Sequence, residues 1–218
     1  MRALATLFAL ACLSLLPPVR AITPATSQPQ PLRVLFVGNS LIYTQQLPAT
    51  LSASARPRGS ALATLSFVAP RGRIDERWRD GHVARALNDG RWDALVIQEQ
   101  GGLLACLAQD ATQRSADCRA SEQAHRKLAA LARERDVRVW LLGTWSADAS
   151  GQSELDRQTR QLASRLSANF IAMGPTLRDY AREHGESAVF PDGMHPSLPA
   201  TLMTAARVYR ALTGTAPR

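Results

Sequence analysis

The chain predicts an α/β protein, a three-layer α/β/α sandwich built on a five-stranded, mainly parallel sheet of flavodoxin-like type. Three observations predict it. Short apolar or β-branched runs recur five times along the sequence, segments with helical spacing separate them, and the runs are continuous rather than alternating. Continuous apolar runs of this length belong to strands covered on both faces.

The elements follow in order. Strand-like runs fall at residues 34–37, 63–68, 94–97, 137–142 and 169–173. Helical spacing falls at 47–55, 74–87, 121–135, 154–166, 176–184 and, last, 198–212. Strands alternating with helices of this length make βαβ units. Ser121 before Glu122 and Ser153 before Glu154 are placed to cap helices, and Gly185 to stop one ending at His184. No internal repeat or second domain boundary interrupts residues 32–218, which form one domain.

Residues 1–21 have the make-up of an export signal. Arg2 supplies the positive start, an apolar stretch runs over residues 4–16, and Val19 and Ala21 stand at −3 and −1 of a cut after Ala21. The stretch is shorter than the roughly 20 apolar residues of a membrane-spanning helix. Residues 22–31, rich in Pro, Thr and Gln, form a flexible leader. The expected location is therefore periplasmic or secreted. Ala9-Leu10-Ala11-Cys12 offers a lipid-anchored alternative at Cys12.

The formal charge of +8 falls by two when Arg2 and Arg20 leave, to about +6. Arginine carries most of it, scattered along the chain without a basic run, which argues against a nucleic-acid partner. Of the three cysteines, Cys106 and Cys118 remain in an exported chain and are expected to form a disulfide. No histidine stands at metal spacing from them, so no metal is expected.

Two segments carry chemistry. Arg33-Val-Leu-Phe-Val-Gly-Asn-Ser40 is an apolar run ending in a hydroxyl, and Phe190-Pro-Asp-Gly-Met-His-Pro-Ser197 places a carboxylate and an imidazole three residues apart. A serine hydroxyl becomes a nucleophile when an imidazole accepts its proton, and a carboxylate fixes the imidazole's tautomer. Ser40, His195 and Asp192 supply those three parts. In an open parallel sheet, ligands bind beyond the carboxyl ends of the strands, where Ser40, residues 98–102 and Thr144-Trp145 are all expected. The elbow motif Gly-x-Ser-x-Gly is absent, as are the glycine-rich signatures of dinucleotide and phosphate sites. His82 and His125 read as surface residues of helices, and His184 ends a helix, where a cation suits the dipole. Trp145 and Tyr43 are candidate neighbours of the cleft.

Gly38-Asn39-Ser40 and Asp192-x-x-His195-Pro196 resemble blocks I and V of the SGNH/GDSL hydrolase superfamily. Trp92-Asp-Ala-Leu-Val-Ile-Gln-Glu-Gln100 and Leu142-Gly-Thr-Trp145 are similar to a bacterial branch of it. The resemblance implies the same three-layer fold and an ester hydrolase without a cofactor. It implies Ser40 as nucleophile, His195 as base and Asp192 as its orienter. The oxyanion hole would be formed by the Ser40 N–H, Gly72 for block II, and Gln100, with Gln98 as alternative, in place of the block III asparagine. The implied substrate is a small-molecule or carbohydrate ester, acetyl or short-acyl, handled by a monomer with no membrane span. A lysophospholipase or thioesterase is the alternative that the apolar segment 101–108 keeps open, and a non-catalytic carbohydrate-binding module is another.

Overall fold

The computed structural model describes residues 30–56, 61–146 and 149–214. The expected signal segment 1–21, with Cys12, and residues 22–29 of the expected leader lie outside the described residues. Five strands form one sheet: β1 (Leu32–Gly38), β2 (Leu62–Val68), β3 (Ala94–Ile97), β4 (Arg138–Leu142) and β5 (Asn169–Ile171). Their order is β2-β1-β3-β4-β5, with every pair parallel. Phe36 stands beside Val96, and Val96 beside Trp140.

Helices cover both faces, as the continuous apolar strands require. Side chains alternate across the pleat, so Leu35, Val37, Leu95 and Ile97 face one layer while Val34, Phe36, Ala94 and Val96 face the other. The first layer contains α3 (Ile74–Arg79), α4 (His82–Asp89), α5 (Gly101–Ala105), α6 (Ala116–Glu134) and α7 (Ala149–Arg165). The second contains α1 (Ser40–Tyr43), α2 (Leu47–Ala55), α8 (Gly174–His184), α9 (Glu186–Val189) and α10 (Leu198–Thr213). Leu35 and Phe36 are fully buried on opposite faces. Each such side chain contributes about 2 kcal/mol through removal from water. β2 lies at an edge, where its exposure alternates and Leu65 is partly open to solvent.

The structure corrects several local expectations. The spacing over 74–87 is two helices: the chain turns at Asp80–Gly81, where Gly81 adopts φ 73°, and Asp80 Oδ1 accepts the His82 N–H. A helix begins at Ala116 rather than Ser121, because Ser115 caps it by accepting the Cys118 N–H at 3.1 Å. Ser153 likewise lies inside α7 rather than at its start. Gly185 does follow the last residue of α8. The apolar segment 101–108 is α5 and a 3₁₀ turn (Cys106–Ala108), with Leu104 and Leu107 spent on the core. Cys106 and Cys118 form a disulfide that ties that turn to the first turn of α6. No helix of the described residues is long and apolar enough to cross a membrane.

This strand order sets the position of any site. The chain winds outward in opposite directions from β1 and β3, so the helices leave a crevice between the carboxyl ends of those two strands. β1 ends at Gly38 and β3 at Ile97.

Candidate active site

A cleft of about 440 Å³ opens at that crevice. Each of the four strands from β2 to β4 across the switch point contributes its carboxyl-end loop. Asn39, Ser40 and Leu41 follow β1, Arg71 follows β2, Gln100 and Gly101 follow β3, and Thr144 and Trp145 follow β4. Gly193 and Met194, from the segment before α10, complete the lining. Ser40 and the segment carrying Asp192 and His195 are thus brought to one cleft from opposite ends of the chain.

Ser40 opens α1. Asn39 caps this helix: its Oδ1 accepts the Leu41 N–H at 3.1 Å and its carbonyl accepts the Ile42 N–H at 3.0 Å. The Ser40 N–H has no partner among the described residues. Asn39 is buried, and its Nδ2 is also unpartnered among them, so the cleft carries an unused donor beside the serine.

The carboxylate and imidazole meet as their spacing allows. His195 Nδ1 lies 2.6 Å from Asp192 Oδ2, while Asp192 Oδ1 accepts the backbone N–H of Met194 at 3.0 Å and of His195 at 2.7 Å. Those two backbone bonds wrap the turn around the carboxylate, and Gly193 takes the positive φ of 79° that the wrap needs. The bond to the His195 ring, then the His195 and Met194 amides, hold the Asp192 carboxyl well below the usual carboxylate range. A permanent negative charge here fixes which ring nitrogen carries the proton.

The turn is anchored on both sides. Trp145 donates its indole N–H to the Met194 carbonyl at 2.9 Å and stacks on Phe190 at 5.5 Å. Ser197 donates its hydroxyl to the Ala188 carbonyl at 2.6 Å and caps α10. The segment after β4 is itself stitched by buried Gln152. This residue donates to the Thr144 carbonyl and accepts the Ser146 N–H. Gly174 leaves room for that amide, since a Cβ there would overlap it.

The expected oxyanion donors are placed differently from one another. Gly72 donates its N–H to the Ala69 carbonyl at 2.9 Å, closing a turn. Its N–H is therefore committed, which corrects the expectation of a free donor. A Cβ on Gly72 would stand 3.0 Å from the Gly38 and Ala69 carbonyls, so close backbone approach explains the glycine. Gln98 is buried, and its Nε2 donates to the Glu99 carbonyl. Gln100 lines the cleft, with Nε2 donating to the Arg71 carbonyl, and an amide nitrogen carries a second N–H.

Glu99 was not among the candidates, although it sits inside the quoted Gln98-Glu99-Gln100. Its buried carboxylate accepts the Gln100 N–H at 2.8 Å, the Ile74 N–H at 3.2 Å and the Ser121 hydroxyl at 2.6 Å. It therefore holds the loop after β3 to α3 and α6. A charged residue two positions after a fully buried strand was the available signal. His125, expected at the surface, is instead 1% exposed with Nδ1 on the Ser121 carbonyl at 2.8 Å. His82 is exposed as expected, His184 is the last residue of α8 as expected, and Tyr43 does not line the cleft.

No protein-family model matches the chain, and no curated protein is a significant match to its sequence. Solved structures do match. A candidate SGNH hydrolase from Slackia heliotrinireducens superposes with TM-score 0.66 at 18% identity, over 83% of this chain and 98% of that one. An acetylxylan esterase from Geobacillus stearothermophilus gives TM-score 0.64 at 12% identity, over 84% and 94%. A candidate GDSL-like lipase from Parabacteroides merdae gives TM-score 0.60 at 15% identity, over 84% and 95%. Similarity over nearly whole chains at such low identity is a similarity of architecture, and it agrees with the sheet order and the position of the cleft. The protein has the fold of the SGNH hydrolases.

Proposed function

We propose that the protein is an exported serine esterase that removes acetyl or short acyl groups from a carbohydrate. One observation carries the reading: the Asp192–His195 pair at 2.6 Å sits on the turn whose Gly193 and Met194 line the same cleft as Ser40. In this reading, Ser40 Oγ attacks the ester carbonyl carbon as His195 Nε2 takes its proton. The alcohol leaves with that proton, and the acyl group stays on Ser40. Water then gives a proton to His195 and its hydroxide to the acyl carbon, which releases the acid and restores Ser40.

The Ser40 N–H and the second N–H of Gln100 are the proposed oxyanion donors, with Gln98 assigned no part. Such a donor typically contributes about 3 kcal/mol of barrier reduction. Two catalytic variants of the structurally similar acetylxylan esterase replace a serine and an aspartate, which supports the roles given to Ser40 and Asp192. The disulfide supports export, because such bonds persist in oxidising compartments.

A second reading, a longer-chain acyl ester, is favoured by exposed Met194 at the cleft with Leu198 and Leu202 on α10. Hydrolysis of p-nitrophenyl acetate and p-nitrophenyl butyrate by the mature protein, beside Ser40→Ala, tests both. The wild type is expected to be faster on acetate and Ser40→Ala to lose at least a thousandfold. Equal rates from the two proteins would remove the esterase reading.

A further inference from the structure

Arg71 is the charged residue of the cleft lining: its companions there are Asn39, Ser40, Gln100, Thr144 and apolar or glycine positions. The neighbouring arginines are all occupied. Arg73 bridges Asp75 and Asp117, Arg77 meets Asp80, and Arg79 meets Asp75. The Arg71 guanidinium has no carboxylate partner among the described residues. The acids of the segments that border the cleft are committed elsewhere, Asp192 to His195 and Glu99 to Ser121 and two backbone amides.

Its backbone is also unusual. Arg71 has φ 52°, in the left-handed region that side chains other than glycine and asparagine enter at a cost. Gly72, the next residue, would take that conformation freely, yet the arginine occupies it. Two bonds hold it there: the Gly72 N–H closes the turn onto Ala69, and Gln100 Nε2 grips the Arg71 carbonyl. A strained, doubly tethered turn thus brings to the cleft lining, beside Gln100, an exposed arginine with no carboxylate partner among the described residues.

We infer that Arg71 is a specificity-determining residue that selects esters of negatively charged sugars, recognising a carboxylate of uronic-acid type close to the acyl group. Guanidinium suits this, since its planar fork matches a carboxylate with two parallel N–H bonds. The inference rests on the esterase reading and names the substrate class of that site.

The test uses a matched pair, the 3-O-acetyl esters of methyl glucoside and methyl glucuronoside, which differ by one carboxylate. The ratio of kcat/KM for charged over neutral ester is measured within each protein, so the fraction of active enzyme cancels. In about 20 mM salt the wild-type ratio is expected near five, the size of a partly exposed ion pair, falling toward one in about 0.5 M salt. Arg71→Gln is expected to give a ratio near one and Arg71→Lys to keep most of the preference. A wild-type ratio of one or less, or an Arg71→Gln ratio equal to wild type, overturns the inference. Failure of the esterase reading is separate: Ser40→Ala would then cleave the neutral ester as fast as wild type.

Discussion

The indole N–H of Trp145 donates to the Met194 carbonyl at 2.9 Å, so the loop after β4 holds the turn on which Asp192 and His195 stand. The stack of Trp145 on Phe190 fixes the same turn from its other end. Trp145→Phe keeps the stack and loses the bond, and is expected to lower kcat about fivefold with KM changed less than twofold, as one hydrogen bond of about 1 kcal/mol implies. Trp145→Ala loses both contacts and is expected to cost more. Steady-state kinetics on p-nitrophenyl acetate decide it; a rise in KM alone would make Trp145 a wall of the cleft rather than a support of the turn.

Asp192→Asn keeps the shape of the turn but removes the charge facing the His195 ring. Loss of the fixed tautomer is expected to reduce kcat by about a thousandfold or more. A decrease below tenfold would argue that another group orients the ring.

The same carboxylate predicts a pH dependence of stability. Its folded-state pKa lies below the unfolded value of about 3.9, so its stabilisation is fully present above that value and is lost as pH falls through the lower one. The difference in Tm between the wild type and Asp192→Asn should therefore shrink as pH falls below about pH 4. A difference that stays unchanged from about pH 5 to about pH 2 contradicts this.

Glu99 accepts from three donors in a buried place, which makes it a structural tether. Glu99→Ala orphans the Ile74 amide and the Ser121 hydroxyl and should cost about 3 kcal/mol in urea unfolding; Ser121→Ala should cost about 1 kcal/mol. Equal, small effects from both would mean that water replaces the carboxylate.

Replacing Cys106 and Cys118 together by alanine releases the turn after α5 from α6. The twelve-residue separation gives about 3 kcal/mol in the chain-entropy account, to be read from the shift of the unfolding midpoint. Activity at low temperature should persist, because neither cysteine lines the cleft.

The sheet was legible because buried strands such as 94–97 leave no polar position to confuse the pattern, and β3 occupies those residues. The break at Gly81 was not, since 3.6-residue spacing runs on through a tight turn and only the positive φ reveals it. His125 was misplaced for a related reason. The buried face of α6 includes Cys118, Ser121, His125 and Leu128, and the polar members of that face resemble surface residues when read singly. At the site, Ser40, Asp192 and His195 were visible from residue type and spacing. The tethers Trp145–Met194 and Gln100–Arg71 join residues 49 and 29 positions apart, and no local pattern encodes them.

The cleft is lined by residue 39 at one extreme and residue 194 at the other, and α10 packs on α2. A chain emerging from synthesis therefore carries a serine with nothing opposite it until its closing helix docks. Ester cleavage, if measured during refolding, would report completion of the whole architecture, lagging behind any spectroscopic signal from the sheet alone.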